Sequence, residues 1–163
     1  MAKNKEEKTN VMRVLEQKKI AYTAHTYPHE EGMAVDGVTV AKSMGFDPAI
    51  VFKTLVARGA SKQYYVFDVP VAENLDLKKA AKAVGEKSIE MIHQKELLPL
   101  TGYVHGGCSP VGMKKLFPTV FHSSAENLAA MIVSAGKIGY QVGLAPHDLA
   151  ALVRAKFADI IVE

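Results

Sequence analysis

The sequence predicts a mixed α/β domain of the α+β kind: a curled, mainly antiparallel sheet or irregular barrel with short helices around it. Three observations lead there. Two largely apolar runs, 50–56 and 63–70, are separated only by a turn around Gly59–Lys62, which implies an antiparallel hairpin. A second pair of strand candidates, 131–136 and 137–145, is joined by a tight turn near Gly136. Short amphipathic or capped segments lie between and around these strands. No repeat or linker divides the chain, so residues 1–163 are expected to form a single domain, large enough for a sizeable core.

In chain order, 9–19 reads as a helix capped by Thr9 or Asn10, with Val11, Val14 and Leu15 as its apolar stripe. Residues 20–27 alternate and end at Pro28, as a strand entering a turn does, leaving the phenol of Tyr27 at the strand end. Residues 38–44 form a short helix closed by Gly45, and Asp47-Pro48 starts a helical turn. Pro70 marks the end of a ladder or a sheet edge. Asn74 or Asp76 caps a helix over 77–84 that Gly85 stops. Residues 87–92 suggest a short strand, and 94–100 a helical turn that Pro99 ends. A last helix begins at Pro146, with Leu149, Leu152 and Val153 inward, and 158–162 returns as an extended piece.

Composition narrows the function only a little. Apolar residues make up 48% and charged residues 23% of 163, ordinary for a globular protein. The charged start of the chain lacks the apolar stretch of a signal peptide, and its first few residues are expected to be unstructured. No window is apolar enough for a transmembrane helix, and Cys108 is the only cysteine, so a cytoplasmic protein without internal disulfides is expected. The net charge of +3 is small, but four lysines against one glutamate fall within 78–87. Lys78, Lys79, Lys82 and Lys87 suit a polyanion or, equally, a solvated helix surface. His25, His29 and Glu30 have no third ligand at convincing spacing, so neither a metal nor a cofactor is expected.

Two stretches carry chemistry. Lys53 is the single charge in PAIVFKTLV, with Val51 and Leu55 on its own face and Ile50, Phe52, Thr54 and Val56 on the other. Both faces are largely apolar, so the lysine either points into a pocket, where it meets an anion or gives up its proton, or escapes to a rim or edge. The second stretch, GGCSPVG at 106–112, matches neither a Walker loop nor a dinucleotide fingerprint. Gly106 and Gly107 permit positive φ or close approach, and consecutive N–H groups there can hold an ester carbonyl or a phosphate oxygen; a purely structural turn stays open. Ser109 has no assignable base and is not in GxSxG, and Cys108 reads as a small buried thiol rather than a nucleophile.

In combination, FKTL at 52–55, the run 71–85, TGYVHGGCSPVG at 101–112, VSAGK at 133–137 and the closing 148–160 resemble the YbaK/EbsC family of aminoacyl-tRNA deacylases over essentially the whole chain. The family is related to the editing domain of bacterial prolyl-tRNA synthetases. The resemblance implies deacylation of Cys-tRNA(Pro), with some action on Cys-tRNA(Cys), and a prolyl-tRNA synthetase as partner. It makes Lys53 the essential lysine at the tRNA 3′ end, and Gly106, Gly107 and Ser109 part of the loop whose amides hold the aminoacyl ester. Tyr27, Cys108, Pro110, Ser134 and Gln141 then line the substrate side, Cys108 as a spectator, and the lysines of 78–87 are, by their charge rather than by the resemblance, the candidates for the tRNA body. A well-studied member carries an aspartate where Gln141 aligns and a phenylalanine near Asp36. The family's chemistry uses the thiol of the esterified cysteine itself, which leaves as a cyclic thiolactone. Two other readings stand beside it: an Ala-tRNA(Pro)-type editor using water, and a domain that binds tRNA or a synthetase without chemistry.

Overall fold

The structure, a computed structural model, describes residues 8–163; the expectation of unstructured first residues lies outside the described residues. Helix α1 (Asn10–Gln17) starts at Thr9, whose hydroxyl oxygen accepts the Met12 N–H at 3.3 Å, and it buries Val11, Met12 and Leu15. Met12 takes the inward place expected of Val14, which is only partly buried. Strand β1 (Thr23–Thr26) is shorter than the alternation suggested, because the chain leaves α1 through Lys19 in the left-handed region and Ile20 N–H bonds back to Leu15.

Helix α2 (Gly37–Ser43) is capped by Asp36, which accepts the Thr39 N–H, and a 3-10 turn at Pro48–Ile50 follows. Strands β2 (Phe52–Gly59) and β3 (Tyr64–Pro70) form the expected antiparallel hairpin, with Lys53 opposite Val69 and Thr54 opposite Asp68. Asp76 caps α3 (Leu77–Val84) by accepting the Lys78 and Lys79 N–H groups, and Gly85 closes it at φ +76°. Strand β4 (Ile89–Met91) pairs with the far end of β2. Helix α4 (Gln94–Thr101) runs past Pro99 rather than ending there. Its last turn is held by Gly102 N–H to Leu98 and by the Thr101 hydroxyl to Leu97, neither of which needs the missing proline N–H.

The second half holds one strand that hydrophobic pattern missed, β5 (Thr119–His122), parallel to β3. Strands β6 (Met131–Lys137) and β7 (Tyr140–Leu144) form the second hairpin, but its turn lies at Ile138-Gly139. Gly136, at φ +94°, instead sits where the register shifts as a bulge. Helix α5 (Pro146–Val153) buries Leu149 and Val153, and β8 (Ala155–Ala158) pairs in parallel with β5, earlier than the extended end expected at 158–162.

The strands divide between two sheets where one curled sheet or irregular barrel was expected. One is antiparallel, β1-β7-β6; the other is mixed, β4-β2-β3-β5-β8, with its last two pairings parallel. Only an isolated bridge, Val51 to Ile132, joins them, so no closed barrel forms among the described residues. Both faces of the β2–β3 hairpin are covered. Ala57, Phe67 and Val69 pack on Ala80 and Ala81 of α3, while Val56 and Val66 pack on Cys108 and Phe117. Phe67 is fully buried, a contribution of about 2–3 kcal/mol from removal of its ring from water.

Candidate functional site

The gap between the two sheets makes the site. β4 pairs only with Ala57–Gly59, so Phe52–Leu55 have no ladder on that side of β2. A cavity of about 170 Å³ opens there, lined by the five consecutive residues Val51–Leu55 and, across from them, by Ser134 and Gln141. Five successive residues of a strand belong to both of its faces, so the strand's unpaired edge forms this wall. Gly37 and Val40 of α2, Tyr27, His105, Gly106 and Cys108 complete much of the rest. The volume lies below the ~300–1,000 Å³ of ordinary ligand pockets and suits a small acyl group.

Lys53 lines this cavity half-buried. Burial pushes its ammonium below the usual lysine range, and the carboxylates of Asp36 and Glu73 pull it back up. The edge expected as an alternative place for this charge is thus real, but it faces a cleft rather than open water. Asp36, noted in the sequence only as a departure from the family pattern, serves both as the cap of α2 and as one of the two anions that act on Lys53.

Tyr27 is buried at the end of β1, its N–H bonded to the Gly139 carbonyl at 3.1 Å, and burial pushes its phenol up. Ser134 and Gln141 are directly opposed in the β6–β7 ladder, which puts both side chains on the cavity face. Ser134 Oγ accepts the Gly136 N–H at 3.1 Å. Gln141 Oε1 is buried without a hydrogen-bond partner among the described residues, an acceptor left for whatever occupies the cavity.

The diglycine is used in both ways that the sequence allowed. Gly106 lies at φ +88°, and a Cβ there would stand 2.7 Å from Ala34 Cβ. A Cβ on Gly107 would stand 3.1 Å from the Ile138 nitrogen. The structure corrects three expected roles in this stretch, those of Gly107, Ser109 and Pro110. The Gly107 N–H is committed to the Val104 carbonyl at 3.0 Å, so it is not free to receive an ester oxygen. Ser109 is fully buried away from the cavity lining, its Oγ accepting the Val111 N–H at 3.2 Å, and Pro110 is likewise buried outside the lining. The N–H groups of Gly106, Cys108 and Ser109 make no hydrogen bond among the described residues, so the nest is narrower than the sequence suggested. Cys108 does line the cavity, and burial, with the Asp68 carboxylate behind it, pushes its thiol up to about 12, far from a thiolate at neutral pH.

Sequence reading missed Asp68. It lies inside the apolar run YVFDVP, wholly buried, and accepts the Thr54 hydroxyl on Oδ1 at 2.5 Å, while Oδ2 has no partner among the described residues. Burial lifts its carboxyl to about 7, with the Thr54 hydrogen bond opposing. The available signal was one carboxylate between Phe67 and Val69, the counterpart of the single lysine that was noticed in the neighbouring strand.

Of the four candidate tRNA lysines, Lys78, Lys82 and Lys87 are exposed and line one shallow groove with Leu77 and Ala81. Lys79 is not free for such use: its ammonium bonds Asp159 at 3.0 Å, the Ile161 carbonyl at 2.9 Å and Glu163 at 3.4 Å, tying α3 to the end of the chain.

Residues 29–152 match the family model of the aminoacyl-tRNA editing domain. A protein of Enterococcus faecalis, EbsC, whose name assigns it Cys-tRNA(Pro)/Cys-tRNA(Cys) deacylase activity, is 45% identical over 161 residues, 98% of each chain. Among solved structures, a trans-editing enzyme for prolyl tRNA synthetase superposes with a TM-score of 0.79 at 24% identity, over 94% of this chain and 95% of that one. The hypothetical protein APE2540 superposes at 0.82 with 18% identity, over 93% and 99%. These two likenesses establish the fold alone.

Proposed function

This chain belongs to the aminoacyl-tRNA editing family and is an aminoacyl-tRNA deacylase, and on that premise we propose that it removes cysteine from mischarged tRNA(Pro), with Cys-tRNA(Cys) as a second substrate. The observation that carries the reading is a small cavity that holds a lysine and in which neither Cys108 nor Ser109 is set up as a nucleophile. The Cys108 thiol is held protonated, and Ser109 faces away. A substrate that brings its own thiol needs none. Attack of that thiol on the ester carbonyl forms an S–C bond, releases the ribose oxygen and leaves a thiolactone. Folding the aminoacyl group into 170 Å³ supplies proximity. The amides of Gly106 and Cys108, the two residues of the bend that line the cavity and whose N–H groups make no hydrogen bond among the described residues, can serve the developing oxyanion, each contributing about 3 kcal/mol when aimed at it.

In this reading Lys53 meets the terminal phosphate or ribose by a charge-assisted contact, and an arriving anion adds to Asp36 and Glu73 in keeping it protonated. Tyr27, Ser134 and Gln141 hold the aminoacyl group. Lys78, Lys82 and Lys87 track phosphates of the tRNA body, and a prolyl-tRNA synthetase supplies the acceptor recognition that a chain this small lacks. The described residues, 8–163, are read as one editing domain acting in the cytoplasm, where charged tRNA is used. No described helix is long and apolar enough to cross a membrane.

A deacylation panel on Cys-, Ala-, Ser- and Pro-tRNA(Pro), with mass detection of products, tests this. Cysteine should be released far faster than serine or alanine, as thiolactone. Equal rates for alanine would replace the proposal with a water-using editor, and tRNA binding without release of any amino acid would leave only a binding domain.

A further inference from the structure

Resting on that reading, we propose that Asp68 is a positioning residue that runs proton transfer through Thr54: the Thr54 oxygen takes the proton of the attacking group as its own hydroxyl proton passes to Asp68. The geometry is direct. Thr54 lines the cavity, and its hydroxyl already donates to Asp68 Oδ1 at 2.5 Å. With that proton turned inward, the Thr54 oxygen presents only lone pairs to the cleft, so it accepts from a substrate donor. Asp68 has no exposure and its second oxygen no partner among the described residues, so a proton delivered there satisfies a buried group that otherwise lacks one.

The step balances within the substrate and these two residues. The substrate thiol loses its proton to Thr54, the S–C bond forms, and Asp68 becomes neutral. As the carbonyl–ribose bond breaks, the proton returns from Asp68 through Thr54 to the leaving ribose oxygen. The chain ends as it began, and no external base is required. The groups facing Asp68 from its neighbouring elements are Thr54 of β2, Phe121 of β5 and Cys108 of the glycine bend; the other titratable residues on the cavity wall are Lys53, Tyr27 and His105. A carboxyl lifted to about 7 changes charge where such a relay operates, being ionised and ready to accept above that pH.

The test is kcat and KM for Cys-tRNA(Pro) from about pH 5.5 to 8.5 in wild type, Asp68→Asn, Thr54→Val and Thr54→Ser. Asp68→Asn keeps an acceptor for Thr54 but cannot take its proton. It should lower kcat about 30-fold or more at about pH 7.5, change KM by less than about threefold, and lose the rise in rate near pH 7. Thr54→Val should do the same through the other partner, which covers the case of a poorly folding Asp68 variant, and Thr54→Ser should restore both rate and profile. A wild-type rate and profile in Asp68→Asn or Thr54→Val overturns the relay, as does a rise near pH 7 that survives both and vanishes in His105→Asn. A wild type that deacylates no aminoacyl-tRNA sinks the functional reading, and the relay with it, whereas a wild-type rate in Asp68→Asn sinks the relay alone.

Discussion

Lys53 and Asp68 lie one register step apart on β2 and β3, and both have lost water, yet the fold treats them differently. Lys53 sits on an open edge, half-covered, with two carboxylates compensating part of what burial costs its charge. Asp68 is sealed beneath the next residue of the same hairpin, with one hydroxyl to accept from and nothing on its other oxygen among the described residues. Loss of water is the larger influence on both groups, and the partners that favour the charged form, two carboxylates for Lys53 and one hydroxyl for Asp68, only offset it. Burial pushes the lysine ammonium down against the pull of two carboxylates, and it lifts the aspartate carboxyl to about 7, where it can exchange a proton.

The sharpest way to break this contrast is the pH dependence of stability. The Asp68 carboxyl is lifted from 3.8 to about 7 in the fold, so between those values the native state binds more protons than the unfolded chain. Stability therefore declines as pH rises from about 4 to about 7 and then levels off. The full shift corresponds to ~4 kcal/mol, an upper figure because a buried carboxylate recruits water or relaxes. Urea denaturation across this range should show the decline in wild type and its loss in Asp68→Asn; parallel curves for the two would mean that Asp68 is ionised throughout.

Next in size is Lys53→Ala. Loss of the cation should cut kcat/KM about 100-fold, equivalent to ~2.7 kcal/mol, with tRNA association through the remaining surface retained. Turnover near the wild-type value would reduce Lys53 to a surface charge caught at an edge.

A smaller effect tests the far side of the hairpin. Replacing Lys78, Lys82 and Lys87 together by alanine should weaken tRNA binding about tenfold near physiological salt. The slope of log K against log salt should also fall by about 0.7–0.9 for each phosphate no longer neutralised. The weakening should not depend on the amino acid attached. Adding Lys79→Ala should cost stability more than affinity, because its ammonium already holds Asp159 and the chain end. The smallest change is expected from Cys108→Ala, which should alter kcat/KM by less than about fivefold, as removal of one wall group does. Complete loss of turnover with intact binding would give the thiol a chemical role.

How far the sequence went depends on whether a signal was local. Caps and stops were legible because they are made within a few residues: Asp76 before α3, Gly85 after it, Asp47-Pro48 before the 3-10 turn. The β2–β3 hairpin and the unusual position of Lys53 were legible for the same reason, the first from a short connection and the second from one charge in an apolar run. The division into two sheets was not. It depends on the Phe52–Leu55 edge of β2 staying unpaired, and the second sheet is completed by β5 and β8, short strands that pair in parallel with partners far along the chain and have no turn beside them to mark the pairing. Nor did sequence show which amides of the glycine bend stay free, since Val104 claims that of Gly107 by a hydrogen bond set by the loop's path.

Residue order alone determined that this chain puts a lone cation in an apolar strand, follows it with a diglycine bend, and carries one thiol. Those are properties of composition and near neighbours. Tertiary structure decided that the strand's edge stays unpaired beside the cation, that Ser134 and Gln141 face it from another sheet, and that an aspartate lies sealed behind Thr54. The reason is physical: desolvation and electrostatic coupling act through space, and the residues that exert them here lie far apart in the chain.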